Sequence, residues 1–183
     1  GGAASSVMAS ALELPLELVD LGVNGLSNVA PTPNRGYFRA KAAAEGKVGD
    51  LSSAEAMSQE TFEASVEAGI DSVDRAAGTR LLVLGELGIG NTTVAAALCA
   101  HLLDTSAEVM VGRGTGVDDE VLAQKTKIVQ KALCATSAKD VESAIIQIGG
   151  REIAAMYGAI GYAASQRITV VVDGFVASAA ALA

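Results

Sequence analysis

Apolar positions along the chain follow two periods. Two short runs rich in β-branched residues and leucine, RLLVLG (80–85) and ITVVVDG (168–174), read as buried strands. LELVDLGV (16–23) reads as a third strand, since it follows Pro15 and ends in glycine. Elsewhere the period is helical. Residues 59–77 put Phe62, Val66, Ile70 and Val73 on one face and acids on the other, with Ser58 as the N-cap and Gly78 as the stop. Residues 118–134 open on three acids and carry Lys125, Lys127 and Lys131 later, the order a helix dipole favours. In 149–166, Gly150, Ala154 and Gly158 recur every four residues, as do Ala155, Ala159 and Ala163. Two faces of that helix are nearly bald, which predicts close backbone approach to a neighbour or a glycine pair, Gly149 and Gly150, opening the helix beside a ligand.

Strands alternating with helices predict one α/β domain over 1–183, a mostly parallel Rossmann-like sheet with helices on both faces. In such sheets ligands bind where strands end and helices begin. The segment 24–38, with two of the three prolines, reads as an exposed excursion from this frame.

Composition narrows the picture. Hydrophobic residues make up 50% of the 183 but aromatics only 3%, so the core must be built from Ala, Val, Ile and Leu. A net charge of −8 excludes a general nucleic-acid binder, which gains affinity by neutralising phosphates. Cys99 and Cys134 lie in apolar helical patterns and read as two buried free thiols. The one histidine, His101, leaves no material for a metal cluster or a Ser-His-Asp triad. No apolar stretch approaches the ~18 residues of a membrane span, and the opening GGAASSVMASALELP lacks a signal peptide's basic start. A cytoplasmic location is expected. The missing initiator Met, and an end inside the helical run VASAAALA, suggest a piece of something longer.

Four loops carry candidate chemistry. GELGIGNTT (85–93) is one lysine short of a P-loop: Asn91 stands in the lysine's place, and Glu86 puts a carboxylate inside the loop. Gly85, Gly88 and Gly90 turn the backbone, Asn91 or Thr92 can cap the helix that follows, and exposed N–H groups there suit an anion. The acid fits one phosphate and a ribose rather than a polyphosphate; the alternative is a tight turn. VGRGTGVDDE (111–120) alternates Gly112, Gly114 and Gly116 with Arg113 and Thr115, and Lys125 follows where it can reach back toward an anion or simply face solvent. Asp173 ends a strand at the ligand edge and is followed by Gly174, so it reads equally as a functional group or a turn. Asp50, Ser52, Ser53 and Ser58, in 47–58, make either a substrate loop or a capped linker.

In order along the chain stand GGAA (1–4), VDLGV (19–23), AMS (56–58), GELGIGNTT, VGRGTGVDDE, GGREIAAMYGA (149–159) and VVVDGF (170–175). Together they resemble the nicotinate-nucleotide:dimethylbenzimidazole phosphoribosyltransferase family of cobalamin biosynthesis, nearly end to end. The resemblance implies the family's large domain and a pentosyltransferase that moves phosphoribose from nicotinate mononucleotide to a benzimidazole nitrogen. It implies no cofactor and no metal, and a homodimer for which the bald faces of 149–166 offer a packing surface. Glu86 and Lys125 match charged active-site positions. Gly88, Gly90, Gly112, Gly114, Thr115 and Gly116 match phosphoribosyl-binding loops, and Asn91, Arg113 and Asp173 are grouped with them as substrate-binding candidates.

The chain also departs from the family. The resemblance puts the general base on a glutamate well past the VVVDGF strand, and an N-terminal segment before GGAA helps form the acceptor pocket. Both are expected to lie outside residues 1–183, which leaves this piece impaired in turnover. Two other readings stay open: a binding-only or split subunit, and a relative that uses phenolic acceptors.

Overall fold

The computed structural model describes residues 4–23, 36–114 and 116–183. Among them the order is α1 (Ala4–Ala11), β1 (Glu17–Asp20), β2 (Gly36–Arg39), α2 (Lys41–Ala44), a single 3-10 turn (Leu51–Ser53), α3 (Gln59–Arg75), β3 (Leu81–Leu84), α4 (Asn91–Leu102), α5 (Ala107–Met110), α6 (Asp119–Ala135), α7 (Val141–Ile148), α8 (Arg151–Ser165), β4 (Thr169–Val172) and α9 (Phe175–Leu182).

The strands pair in parallel, as alternation with helices requires, but as two separate two-stranded sheets among the described residues: β1 with β2, and β3 with β4. The α/β class and the parallel pairing hold, and the Rossmann-like sheet is only partly evident among the described residues. Leu82, Leu84 and Val170 pack against Val73 of α3 and Ala159 and Ala163 of α8. Their neighbours Leu81, Val83 and Val171 point the other way and are exposed, because successive side chains in a strand alternate faces. The runs read as buried strands are therefore buried on one face only. Residues 36–38, expected in a loop, open β2 instead; residues 24–35 of that expected loop lie outside the described residues.

The core is built from small side chains. Six consecutive residues of α4, Ala95 to Ala100, are buried, so that helix is wrapped on all sides. It packs with α7, α8 and α9 around Leu98, Ile145, Ile153 and Val176. Cys99 belongs to this cluster, and burial pushes its thiol pKa up. Cys134, expected to be buried, is exposed. It lies two residues beyond buried Ala132, roughly 200° around the helix from α6's inner face.

The bald faces of α8 meet α3. A Cβ on Gly158 would stand 3.0 Å from the Val66 carbonyl carbon and Cα, and one on Gly69 would stand 2.7 Å from the Ala155 carbonyl carbon. Small residues thus serve contact inside the chain, and the expectation that these faces are free for a second copy is corrected. In the segment 47–58 the Asp50 side chain accepts from Ser52 N–H, and Ser58 caps α3 by accepting from Thr61 N–H.

Two polar anchors fix the start of α8 and the exit of β1. Arg151 Nη1 donates to the carbonyls of Leu21, Ala43 and Ala44 at 2.7, 3.0 and 3.0 Å. Asp20, 3% exposed, accepts from Gly22 N–H and Val23 N–H, Tyr37 Oη–H and the Arg39 guanidinium. Burial pushes the Asp20 pKa up, but the Val23, Gly22 and Tyr37 hydrogen bonds and the Arg39 charge outweigh it, and the net shift is downward. A lowered folded pKa contributes stability that is full above the unfolded value near about 4 and is lost as pH falls through the folded value. Asp20→Ala should cost roughly 1–3 kcal/mol at neutral pH, since it strands several donors. In urea melts the gap from the parent chain should close in acid; a gap that stays constant to the lowest pH would contradict this account.

Candidate functional site

The carboxyl ends of β3 and β4 lie side by side, with Leu84 opposite Val172. The glycine loop 85–90 leaves one strand and Asp173–Gly174 the other, so the two candidate segments share an edge. Asp173 is exposed, and its side chain forms no hydrogen bond among the described residues. Its neighbour Gly174, with φ +85°, starts the turn into α9.

Loop 85–90 closes on itself. Asn91 Nδ2 donates to Glu86 Oε2. A Cβ on Gly88 would stand 2.7 Å from Asn91 Oδ1, so glycine there lets the amide tuck beneath the loop. The expectation that Asn91 or Thr92 caps α4 is corrected. Gly90 takes the N-cap at φ +91° with no side-chain cap, a conformation that side chains disfavour. Asn91 is already helical, and its amide serves Glu86 instead. The uncapped first turn leaves backbone N–H groups to face the loop mouth. Leu87 and Ile89 stand in solvent on the same loop, 87% and 107% exposed.

The second glycine loop is bound to the first by Lys125. From the second turn of α6 its Nζ donates to Gly112 O at 2.9 Å and to Thr92 Oγ1 at 3.1 Å. A Cβ on Gly114 would stand 3.2 Å from that same hydroxyl oxygen and 3.5 Å from Lys125 Nζ. Lys125 is therefore not a solvated helix lysine; it is the tie between α4, α6 and loop 111–118. Asp118 holds the start of α6 by accepting from Val121 N–H at 2.9 Å. Arg113 is turned to its own loop, donating to Val117 O at 2.9 Å and pairing with Asp119. Gly112 and Gly116 border open space, and Thr115 lies outside the described residues.

Glu86, Asn91, Thr92, Gly112, Gly114 and Lys125 thus form one cluster at the sheet's carboxyl edge. Sequence reasoning missed Glu152, on the first turn of α8. Its Oε1 is sealed from solvent and, among the described residues, has no hydrogen-bond partner. Burial raises the Glu152 pKa and the Glu86 carboxylate raises it further, against its own backbone N–H and the Arg151 charge. The signal was present: an acid two residues after Gly150, where a helix opens. Among the described residues no group of three or more His, Cys, Asp or Glu is placed to hold a metal ion. No helix among them is long and apolar enough to cross a membrane.

The family model described as Phosphoribosyltransferase matches residues 1–183. A nicotinate-nucleotide–dimethylbenzimidazole phosphoribosyltransferase of Chromobacterium violaceum is 43% identical across all of this chain and 52% of its own length. The enzyme of that name from Deinococcus radiodurans is 42% identical, across all of this chain and 49% of its own. The crystal structure of CobT from Thermus thermophilus superposes with a TM-score of 0.85 at 35% identity, covering 100% of this chain and 54% of that one. The chain spans about half the length of the curated relatives it matches. From its motifs, its fold and these likenesses, the chain belongs to the nicotinate-nucleotide–dimethylbenzimidazole phosphoribosyltransferase family.

Proposed function

We propose that this chain supplies the phosphoribosyl-binding part of an enzyme that transfers phosphoribose from nicotinate mononucleotide to dimethylbenzimidazole, giving α-ribazole phosphate and nicotinate. The observation that carries the reading is the Lys125 tie, which fixes one cation and two glycine loops at the strand ends beside a single loop carboxylate. The phosphate is taken by the uncapped N-terminus of α4, by the loop around Gly112, Gly114 and Gly116, and by Lys125, a local positive site in a chain of net charge −8. Leu87 and Ile89 offer apolar surface to an aromatic ring.

The bond from C1′ to the pyridinium nitrogen breaks, and its electron pair returns to that nitrogen, so the ring leaves neutral. The lone pair of the benzimidazole's unprotonated nitrogen forms the new bond to C1′, and the proton on the other ring nitrogen passes to a base. Positive charge builds on the ribose between the two events, and Glu86, held by Asn91, stabilises it. The leaving ring is already activated by its charge and needs no strong acid. Asp173, at the same edge, is the remaining candidate for a sugar hydroxyl. The reading carries with it a cytoplasmic location and a homodimer formed through a surface other than the small faces of α8.

Titration calorimetry with nicotinate mononucleotide, beside a nicotinate-release assay with dimethylbenzimidazole, tests it. Saturable one-site binding is expected; its absence in the folded chain would sink the proposal.

A further inference from the structure

We propose that Thr92 works with Lys125 as one phosphate-binding pair, its hydroxyl receiving the ammonium, aiming that cation, and turning its own proton to the same phosphate. The inference rests on the proposed function and gives a binding role to a residue that the sequence offered only as a helix cap.

The directions of the hydrogen bonds carry the argument. Lys125 Nζ lies 3.1 Å from Thr92 Oγ1 and 2.9 Å from Gly112 O. An ammonium has three protons and no lone pair, so both bonds run from the lysine and the hydroxyl must accept. Its two acceptors sit on different elements, α4 and the loop before α6, and together they fix where Nζ stands. The third N–H has no acceptor among the described residues. Thr92 is oriented in turn. With a lone pair facing the ammonium, its own proton points away from Lys125, and no described residue accepts it. A hydroxyl inside a helix ordinarily donates to a carbonyl of the preceding turn. Thr126, next to Lys125, does so, to Leu122 O at 2.9 Å; Thr92 does not.

The second glycine loop lies against the pair. A Cβ on Gly114 would stand 3.2 Å from Thr92 Oγ1, 3.5 Å from Lys125 Nζ and 3.8 Å from Thr92 Cγ2. Gly114 also has φ +57°, so glycine serves there both for room and for backbone freedom. Two donors 3.1 Å apart are close enough to serve two oxygens of one phosphate. The ammonium polarises the hydroxyl and makes its proton a stronger donor, so the two groups should act as a unit.

Thr92→Val keeps the branched shape and removes the hydroxyl, while Thr92→Ser keeps the hydroxyl. Calorimetry with nicotinate mononucleotide should show Thr92→Val binding about tenfold more weakly and Thr92→Ser recovering most of that loss. In a Lys125→Ala background, Thr92→Val should cost only about twofold more, because nothing then aims the hydroxyl. Phosphorus NMR at saturating ligand reads the phosphate itself. The bound resonance should move in Thr92→Val and return in Thr92→Ser, whereas a looser loop alone would lower affinity and leave the resonance in place. Thr92→Ala also removes the hydroxyl and favours helix, so it carries the test should Thr92→Val fold poorly. Parental affinity without the hydroxyl, single losses that simply multiply in the double variant, or an unmoved resonance overturns the inference. Failure of the parental chain to bind is a distinct result, which overturns the functional reading and the role of Thr92 with it.

Discussion

Gly69→Val is expected to leave the chain without a stable fold. Gly69 lies on α3 where the helix crosses α8, and its missing side chain lets the two backbones touch. A Cβ there would stand 2.7 Å from the Ala155 carbonyl carbon and 3.0 Å from Ala159 N, and closer still to the Ala155 carbonyl oxygen. These are backbone atoms in the middle of a helix, so no rotamer change relieves the contact. The helices must part, and with them the packing of Val73 against Ala159 and Ala163. Overpacking a core costs about 1–3 kcal/mol when side chains can shift; here the cost should exceed that range and remove a large share of a stability of roughly 5–15 kcal/mol. The control is on the partner helix. Gly161 is also inside α8, but a Cβ there meets nothing within 4 Å. Gly161→Ala should therefore raise stability by about 0.5–1 kcal/mol through helix propensity alone. Thermal melts followed by circular dichroism would separate the two, and a Gly69→Val chain melting with its parent would refute the crossing as described.

That crossing shows what the sequence could and could not say. The four-residue spacing of small residues in 149–166 predicted close approach, and Phe62, Val66 and Val73 marked the face of α3. Nothing local showed that these two faces meet, because a pairing of elements far apart in sequence is decided by the whole chain. The strands were located by β-branched runs, yet burial on one face looks the same as burial on both when every residue is apolar, as in TVVV. GYFR was hidden as β2 by the proline-rich stretch before it. α7 was overlooked although Asp140 and Ser143 form a reciprocal capping box, a pattern legible in principle.

The site divides in the same manner. Glycine loops at strand ends are legible because their backbone demands leave a composition signal. Lys125 was read as reaching toward an anion or facing solvent, and the bonds its Nζ makes to Thr92 and Gly112 had no signal in the sequence. The cap of α4 was misread because Asn91 is a favoured N-cap residue, while Gly90 had already taken that position. Glu152 escaped because an acid in a first helical turn ordinarily serves the helix dipole. Only the folded chain shows its oxygen sealed and the Glu86 charge close enough to act on it.

Lys125→Ala is expected to weaken nicotinate mononucleotide binding by roughly ten- to a hundredfold, the 1.5–3 kcal/mol typical of a charge-assisted hydrogen bond. The phosphate's charge does not change during transfer, so the loss belongs to the ground state as much as to the transition state, and it should appear in affinity and KM rather than in kcat. Two effects are superposed: the cation is removed, and the tie between the loops is cut. Lys125→Met keeps most of the stem while losing the charge and both hydrogen bonds, so its difference from Lys125→Ala isolates the packing of the stem. Stability should change little in either variant, since Lys125 is only partly buried and water can reach Gly112 O. Salt dependence gives a further readout. Parental affinity should fall as salt rises, and the variants should show a shallower slope because one cation no longer faces the phosphate. Lys125→Arg should not fully restore binding, because a planar guanidinium does not reproduce the point-charge geometry by which Nζ donates to Thr92 Oγ1 and Gly112 O. If Lys125→Ala binds with parental affinity and an unchanged salt slope, the tie is structural only, and the phosphate must lie elsewhere along the carboxyl edge of β3 and β4.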